Sequence, residues 1–141
     1  MNQLILDGHS LTIDQVISVA YDSNVKIQLS ESAKPQIQKA ADAVKAFVDN
    51  KSIVYGITTG FGAFKDRIIS PEHVNCLQQN ILVSHAVGVG DKLDLPTTKA
   101  MIVIRANTLT QGYSGIRLET LEFLINLLNL GIIPVIPEKG S

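Results

Sequence analysis

The chain has 141 residues, close to the usual size of one domain, and is 45% hydrophobic and 18% charged, against about 25% charged in an average soluble protein. Twelve basic and thirteen acidic residues leave a formal net charge of -1; that balance and the apolar content exclude a disordered tail and a basic nucleic-acid-binding stripe. The single cysteine, Cys76, excludes an internal disulfide framework and fits a reducing compartment. The most apolar stretch, Phe123 to Pro137, is shorter than the roughly 20 residues of a spanning helix. The first residues, MNQLILDGHS, show no basic leader with an apolar core. A soluble cytoplasmic protein, with no nucleic acid and no membrane as partner, is the expectation.

In chain order, residues 1–50 read as strand, helix, strand, helix. Gln3 to Leu6 alternates toward a strand, and Asp7-Gly8 is a turn. Thr12 with Gln15 forms a capping-box pattern ahead of Ile13, Val16, Ile17 and Ala20, a helix running to about Tyr21. Val25 to Leu29 alternates as a second strand. The next helix starts between Ser30 and Pro35, since proline is tolerated only in a first turn. Ile37, Ala41, Val44 and Val48 form its apolar stripe.

Residues 51–69 read as a glycine-rich loop around Tyr55, and residues 70–131 as three helices. Ser70-Pro71-Glu72 combines an N-cap, an N1 proline and a first-turn acid. The helix behind it aligns Val74, Leu77, Ile81 and His85 and stops in AVGVGD. A second helix opens near Pro96 and ends before Gly112. Ser114 is expected to cap the third, whose stripe is Leu118, Leu121, Ile125 and Leu128, with Gly131 at its C-terminal cap. Ile132 to Ile136 suits a short strand. The fold class is mainly α with a few short strands.

Few residues suggest chemistry by themselves. Tyr55 lies in YGITTGFG, where Gly56, Gly60 and Gly62 let the loop move or approach a ligand closely. A tyrosine there serves as acid or base once its pKa of about 10 is drawn toward neutrality; the competing account is an ordinary turn with a partly buried tyrosine. His85, on an apolar stripe, is either a core histidine or a functional one. His9 and His73 show no metal-ligand spacing, so no metal site is expected. Cys76 reads as buried filler. Arg105, set among apolar residues, needs a partner or a polar site, and Arg117 in a first helical turn opposes the helix dipole. Exposure to water and binding to partners in a larger assembly both account for the two arginines.

Together YGITTGFG, LQQNILVSHAVGVGD and RANTLTQGYSGIRLETLEFLINLLNLGIIPVIPEKGS, preceded by LDGHSLTIDQV, resemble the aromatic amino-acid ammonia-lyase family over nearly the whole chain. The order and the thirty-residue interval from Tyr55 to His85 match as well. The resemblance implies the N-terminal segment of a larger helical protein that deaminates an amino acid without external cofactor. The family's electrophile is a methylidene-imidazolone formed from an internal Ala-Ser-Gly, expected just beyond Ser141, with residues 132–141 leading into it. By the same resemblance Tyr55 acts on the substrate's β-proton, and His85 contacts the substrate ring. The Ser84-His85 pair is similar to that of the histidine-specific members, which release urocanate and ammonia. A phenylalanine- or tyrosine-specific lyase or an aminomutase is the alternative within the family, and a non-catalytic stand-alone interaction module the alternative outside it. The expected partners are a small amino-acid substrate and further copies of the chain, a homotetramer in the complete protein.

Overall fold

Two short strands, β1 (Gln3–Leu6) and β2 (Lys26–Leu29), pair in parallel with Leu4 opposite Ile27 and Leu6 opposite Leu29. Parallel neighbours need a crossover, which helix α1 (Ile13–Tyr21) supplies. Alternation puts Leu4, Leu6 and Ile27 inside while Gln3 and Ile5 face out. Both bonds of the expected capping box are present: Thr12 Oγ1 accepts from Gln15 N at 3.3 Å, and Gln15 Oε1 accepts from Thr12 N at 2.9 Å. The computed structural model describes residues 3–60, 62, 69 and 71–140.

The remaining elements are α2 (Lys34–Asp49), α3 (Pro71–His85), β3 (Val89–Lys92), α4 (Leu95–Thr110), α5 (Leu118–Leu130) and β4 (Pro137–Lys139), with β3 and β4 in a second two-stranded sheet. The architecture is mainly helical, as the periodicity indicates. The chain divides into two units, Met1–Asp42 with Lys92–Ile136, and Ala43–Asp91 with Pro137–Ser141.

The first unit holds the hydrophobic core: Leu4, Leu6, Val19, Ile27, Ile37, Val103, Ala106, Leu109, Leu121, Ile125 and Leu128 form one buried cluster. Side chains also carry long-range polar ties. Asn129 pairs with both main-chain groups of Ile27, accepting from its N–H and donating to its carbonyl at 2.8 Å each, which pins the end of α5 to β2. Gly8 donates to Asn107 Oδ1 at 3.0 Å and accepts from Gln111 Nε2 at 2.9 Å, tying the β1–α1 turn to α4. Glycine is required there, because φ is +87° and a Cβ would lie 2.9 Å from Gln111 Cγ. Lys34 bridges Glu31 at 2.8 Å and Glu122 at 3.3 Å; hydrogen bonds to the two carboxylates raise its pKa.

Several expectations need correction. Ser114 does not cap α5; its Oγ accepts from Ile116 N at 3.3 Å, and Arg117 occupies the N-cap without a side-chain bond. Asp94, whose side chain accepts from Thr97 N at 2.7 Å, caps α4 ahead of Pro96. No strand covers Ile132–Ile136 in the structure; β4 lies one step later, because a strand exists only where a partner takes its hydrogen bonds, and β3 is that partner. The AVGVGD segment, read only as a helix stop, supplies part of β3. Cys76 is exposed rather than buried. On α2 only Ile37 is buried, and Val48 at the far end of the stripe is 46% exposed. The Ser70 cap lies outside the described residues.

Candidate active site

Tyr55 sits in a loop built by its own main-chain and threonine bonds. Ile57 N and Thr58 N both donate to the Val54 carbonyl, at 3.1 and 3.0 Å, which wraps the chain into a turn through Tyr55 and Gly56. Thr58 Oγ1 accepts from Val54 N at 2.9 Å and donates to the Ser52 carbonyl, so one hydroxyl closes the turn on the side of α2. The Ile69 N–H reaches the Thr58 carbonyl at 3.1 Å and closes the far end. Gly56 and Gly62 take φ of 72° and 57°, where a side chain is strained. Gly60 has no positive φ; it is buried beside Thr59, itself 2% exposed.

The outcome is a tyrosine held at a turn yet 63% exposed, a loop residue presented by a local scaffold. Thr58 carries no signal in the glycine pattern of the loop. A threonine three residues after the tyrosine is a usable signal, since its hydroxyl competes for nearby main-chain groups.

Ser84 and His85 end α3 and are both exposed in this chain. The stripe it shares with Leu77 and Ile81 is only partly covered. Ser84 Oγ lies 2.9 Å from His85 Nδ1 and donates to the Ile81 carbonyl at 3.1 Å. His85 Nδ1 lies 3.0 Å from that same carbonyl. Ser84 and His85 therefore meet directly, while Tyr55 and the glycines belong to the separate loop of the same unit.

Arg105 and Arg117 are exposed, so their charges need no buried partner. A cavity of about 160 Å³ in the first unit is lined by Asp22, Ser23, Lys99 and Asn129 among others, and by none of Tyr55, Ser84 and His85. Among the described residues no group of three or more His, Cys, Asp or Glu side chains is placed to hold a metal ion. Among them, too, no helix is long and apolar enough to cross a membrane.

The family model of aromatic amino acid lyases matches residues 11–141. Histidine ammonia-lyase of Chloroflexus aurantiacus is 54% identical over 143 residues, covering all of this chain and 27% of that protein. The crystal structure of histidine ammonia-lyase from Trypanosoma cruzi is 37% identical with a TM-score of 0.90, covering 99% of this chain and 27% of the other. Tyrosine aminomutase from Streptomyces globisporus gives the same TM-score of 0.90 at 32% identity, with 99% and 26% covered. The chain thus spans about a quarter of the length of the curated relatives it matches.

Proposed function

Because the chain belongs to the aromatic amino acid lyase family, we propose that it is the N-terminal quarter of a histidine ammonia-lyase, which converts L-histidine to urocanate and ammonia. The observation that carries this reading is identity of 46–54% along the whole chain to relatives bearing that name. The backbone alone does not discriminate, since the histidine lyase and the tyrosine aminomutase superpose equally well. Substrate choice therefore rests on side chains, and Ser84-His85 is the pair that favours an imidazole substrate.

The reaction breaks a Cβ–H and a Cα–N bond; the electron pair of the first becomes the new Cα=Cβ bond, and the amine leaves as ammonia. Tyr55, exposed at its turn, takes the β-proton on its phenolic oxygen. That proton is barely acidic, so the base must be positioned, a contribution of about 10²–10⁴-fold. The turn held by Thr58 performs the positioning, and Gly56, Gly60 and Gly62 give the loop its shape. His85 contacts the imidazole, whose nitrogens offer a donor and an acceptor that another imidazole complements.

The electron sink of the family is a methylidene-imidazolone made from Ala-Ser-Gly, and these 141 residues contain no such tripeptide. The group, in this reading, forms in another part of the complete polypeptide, with no external cofactor. In this reading the complete protein is a cytoplasmic homotetramer acting on a free amino acid.

The test follows product absorbance. Purified complete protein is expected to form urocanate from L-histidine, and the 141-residue chain alone to stay at background. Turnover of L-phenylalanine or L-tyrosine in place of L-histidine would move the assignment to the other lyases. Turnover by the 141-residue chain alone would overturn the division of labour between it and the electrophile.

A further inference from the structure

We propose that Ser84 is a positioning residue which, with the Ile81 carbonyl, holds His85 in its Nδ1–H tautomer, so that Nε2 is an acceptor selecting substrates whose ring carries an N–H. The inference rests on the reading of His85 as a contact to the substrate ring and adds what that contact presents.

The geometry leaves one consistent arrangement for a neutral ring. His85 Nδ1 faces two oxygens, the Ile81 carbonyl at 3.0 Å and Ser84 Oγ at 2.9 Å. A carbonyl oxygen accepts only, so a bare Nδ1 at 3.0 Å would set two lone pairs against each other. With the proton on Nδ1, every contact is satisfied. The ring donates to the carbonyl and to the serine lone pair, and the serine hydroxyl donates its own proton to Ile81 O at 3.1 Å. Nε2 then carries a lone pair, and among the described residues it has no partner in an exposed side chain. A neutral imidazole uses one nitrogen as donor and the other as acceptor, and the bond made by one sets what the other presents.

Three consecutive features of α3 produce this state. The Ile81 carbonyl lies within reach of the His85 main-chain N–H of its own helix, and a carbonyl oxygen has a second lone pair to offer the side chains of residues 84 and 85. Residue 85 lies one turn beyond residue 81, so a histidine ring there can fold back onto the earlier carbonyl. Ser84, adjacent in sequence, reaches the same carbonyl and fixes the ring against rotation about its terminal torsion. A substrate ring with an N–H then completes the acceptor. A ring without one leaves Nε2 unpaired once water is displaced.

The complete enzyme is assayed with L-histidine and with thienyl-L-alanine, whose five-membered ring has no N–H. Ser84→Ala is expected to raise KM for L-histidine by about 2- to 12-fold, the effect of one hydrogen bond, with kcat nearly unchanged and thienylalanine unaffected. Ser84→Thr, which keeps the hydroxyl, is expected to restore the wild-type KM. Equal effects on both substrates, or no change in their ratio with Ser84→Ala, overturn the assignment and make Ser84 a helix-end residue only. Absence of urocanate from the wild-type enzyme instead overturns the histidine reading, and this assignment with it. Urocanate formation with an unmoved ratio overturns this assignment alone.

Discussion

The two units of this chain differ in what holds them together. The first, residues 1–42 and 92–136, contains all the buried hydrophobic side chains of the described structure. The second, residues 43–91 and 137–141, contains Tyr55, Ser84 and His85, yet among its described residues only Thr59 and Gly60 are buried. Its apolar side chains lie open: Ile53 is 68% exposed, Leu82 68% and Val83 80%. Its order comes from local hydrogen bonds, as in the Thr58 turn and the Ser84–His85–Ile81 cluster. Elements with few buried contacts occupy the low-stability end of a protein, where binding loops are found.

The strongest way to break this contrast is a matched pair of truncations. Leu121→Ala, at a fully buried position of α5, is expected to cost about 2–5 kcal/mol in denaturant unfolding of the 141-residue chain. Leu82→Ala in α3, where the side chain is 68% exposed, is expected to stay within about 0.5 kcal/mol. Equal costs would show that the second unit has a core of its own.

The reverse asymmetry is expected for catalysis. Tyr55→Phe in the complete protein removes only a hydroxyl from an exposed loop residue. Turnover is expected to fall about 10²-fold or more, with the melting temperature nearly constant. A variant with near-normal rate would return Tyr55 to a structural role. Replacing Ser84-His85 by Phe-Leu is expected to shift the kcat/KM ratio of L-histidine over L-phenylalanine by roughly 5- to 150-fold against histidine, the cost of one unsatisfied polar group. An unchanged ratio with a lowered melting temperature would make the pair structural.

Two smaller effects belong to the first unit. Thr12→Ala deletes one bond of the capping box and removes the hydroxyl that orders the start of α1, and a stability loss of about 0.5–2 kcal/mol is expected. The last is a pH effect. Main-chain N–H groups of His9 and Ser10 bond to the Asp7 carboxylate and lower its pKa from 3.8 to about 2. A depressed carboxylate pKa stabilises the fold above the ordinary value, and that contribution is lost as pH falls through the folded one. Asp7→Asn is therefore expected to flatten the stability profile between pH 3.8 and about 2. An acid limb identical to wild type would show that the turn contributes nothing through this charge. Asp94, lowered by the hydroxyl and N–H of Thr97, acts in the same direction.

Local chemistry was legible wherever it involved neighbours in sequence. The Thr12–Gln15 box, the Asp7-Gly8 turn, the end of α1 at Tyr21 and Gly131 at the close of α5 all follow from residues within one turn of each other. The motifs from Tyr55 to the RANTLTQGYSGIR segment sufficed for the family, because spacing along a chain is a property of sequence. What only the tertiary structure decided involves distant partners. Asn129 binding Ile27 and Gln111 binding Gly8 join residues about a hundred positions apart, and no local pattern announces such a pair. The β4 strand lies beyond the alternating Ile132–Ile136 segment because a three-residue strand is defined by its partner, β3, rather than by its own alternation. Cys76 and His85 share a helix with apolar residues, which suggests an interior place for both, yet both are exposed. Periodicity shows which residues share a face; whether anything covers that face depends on what the rest of the chain brings against it.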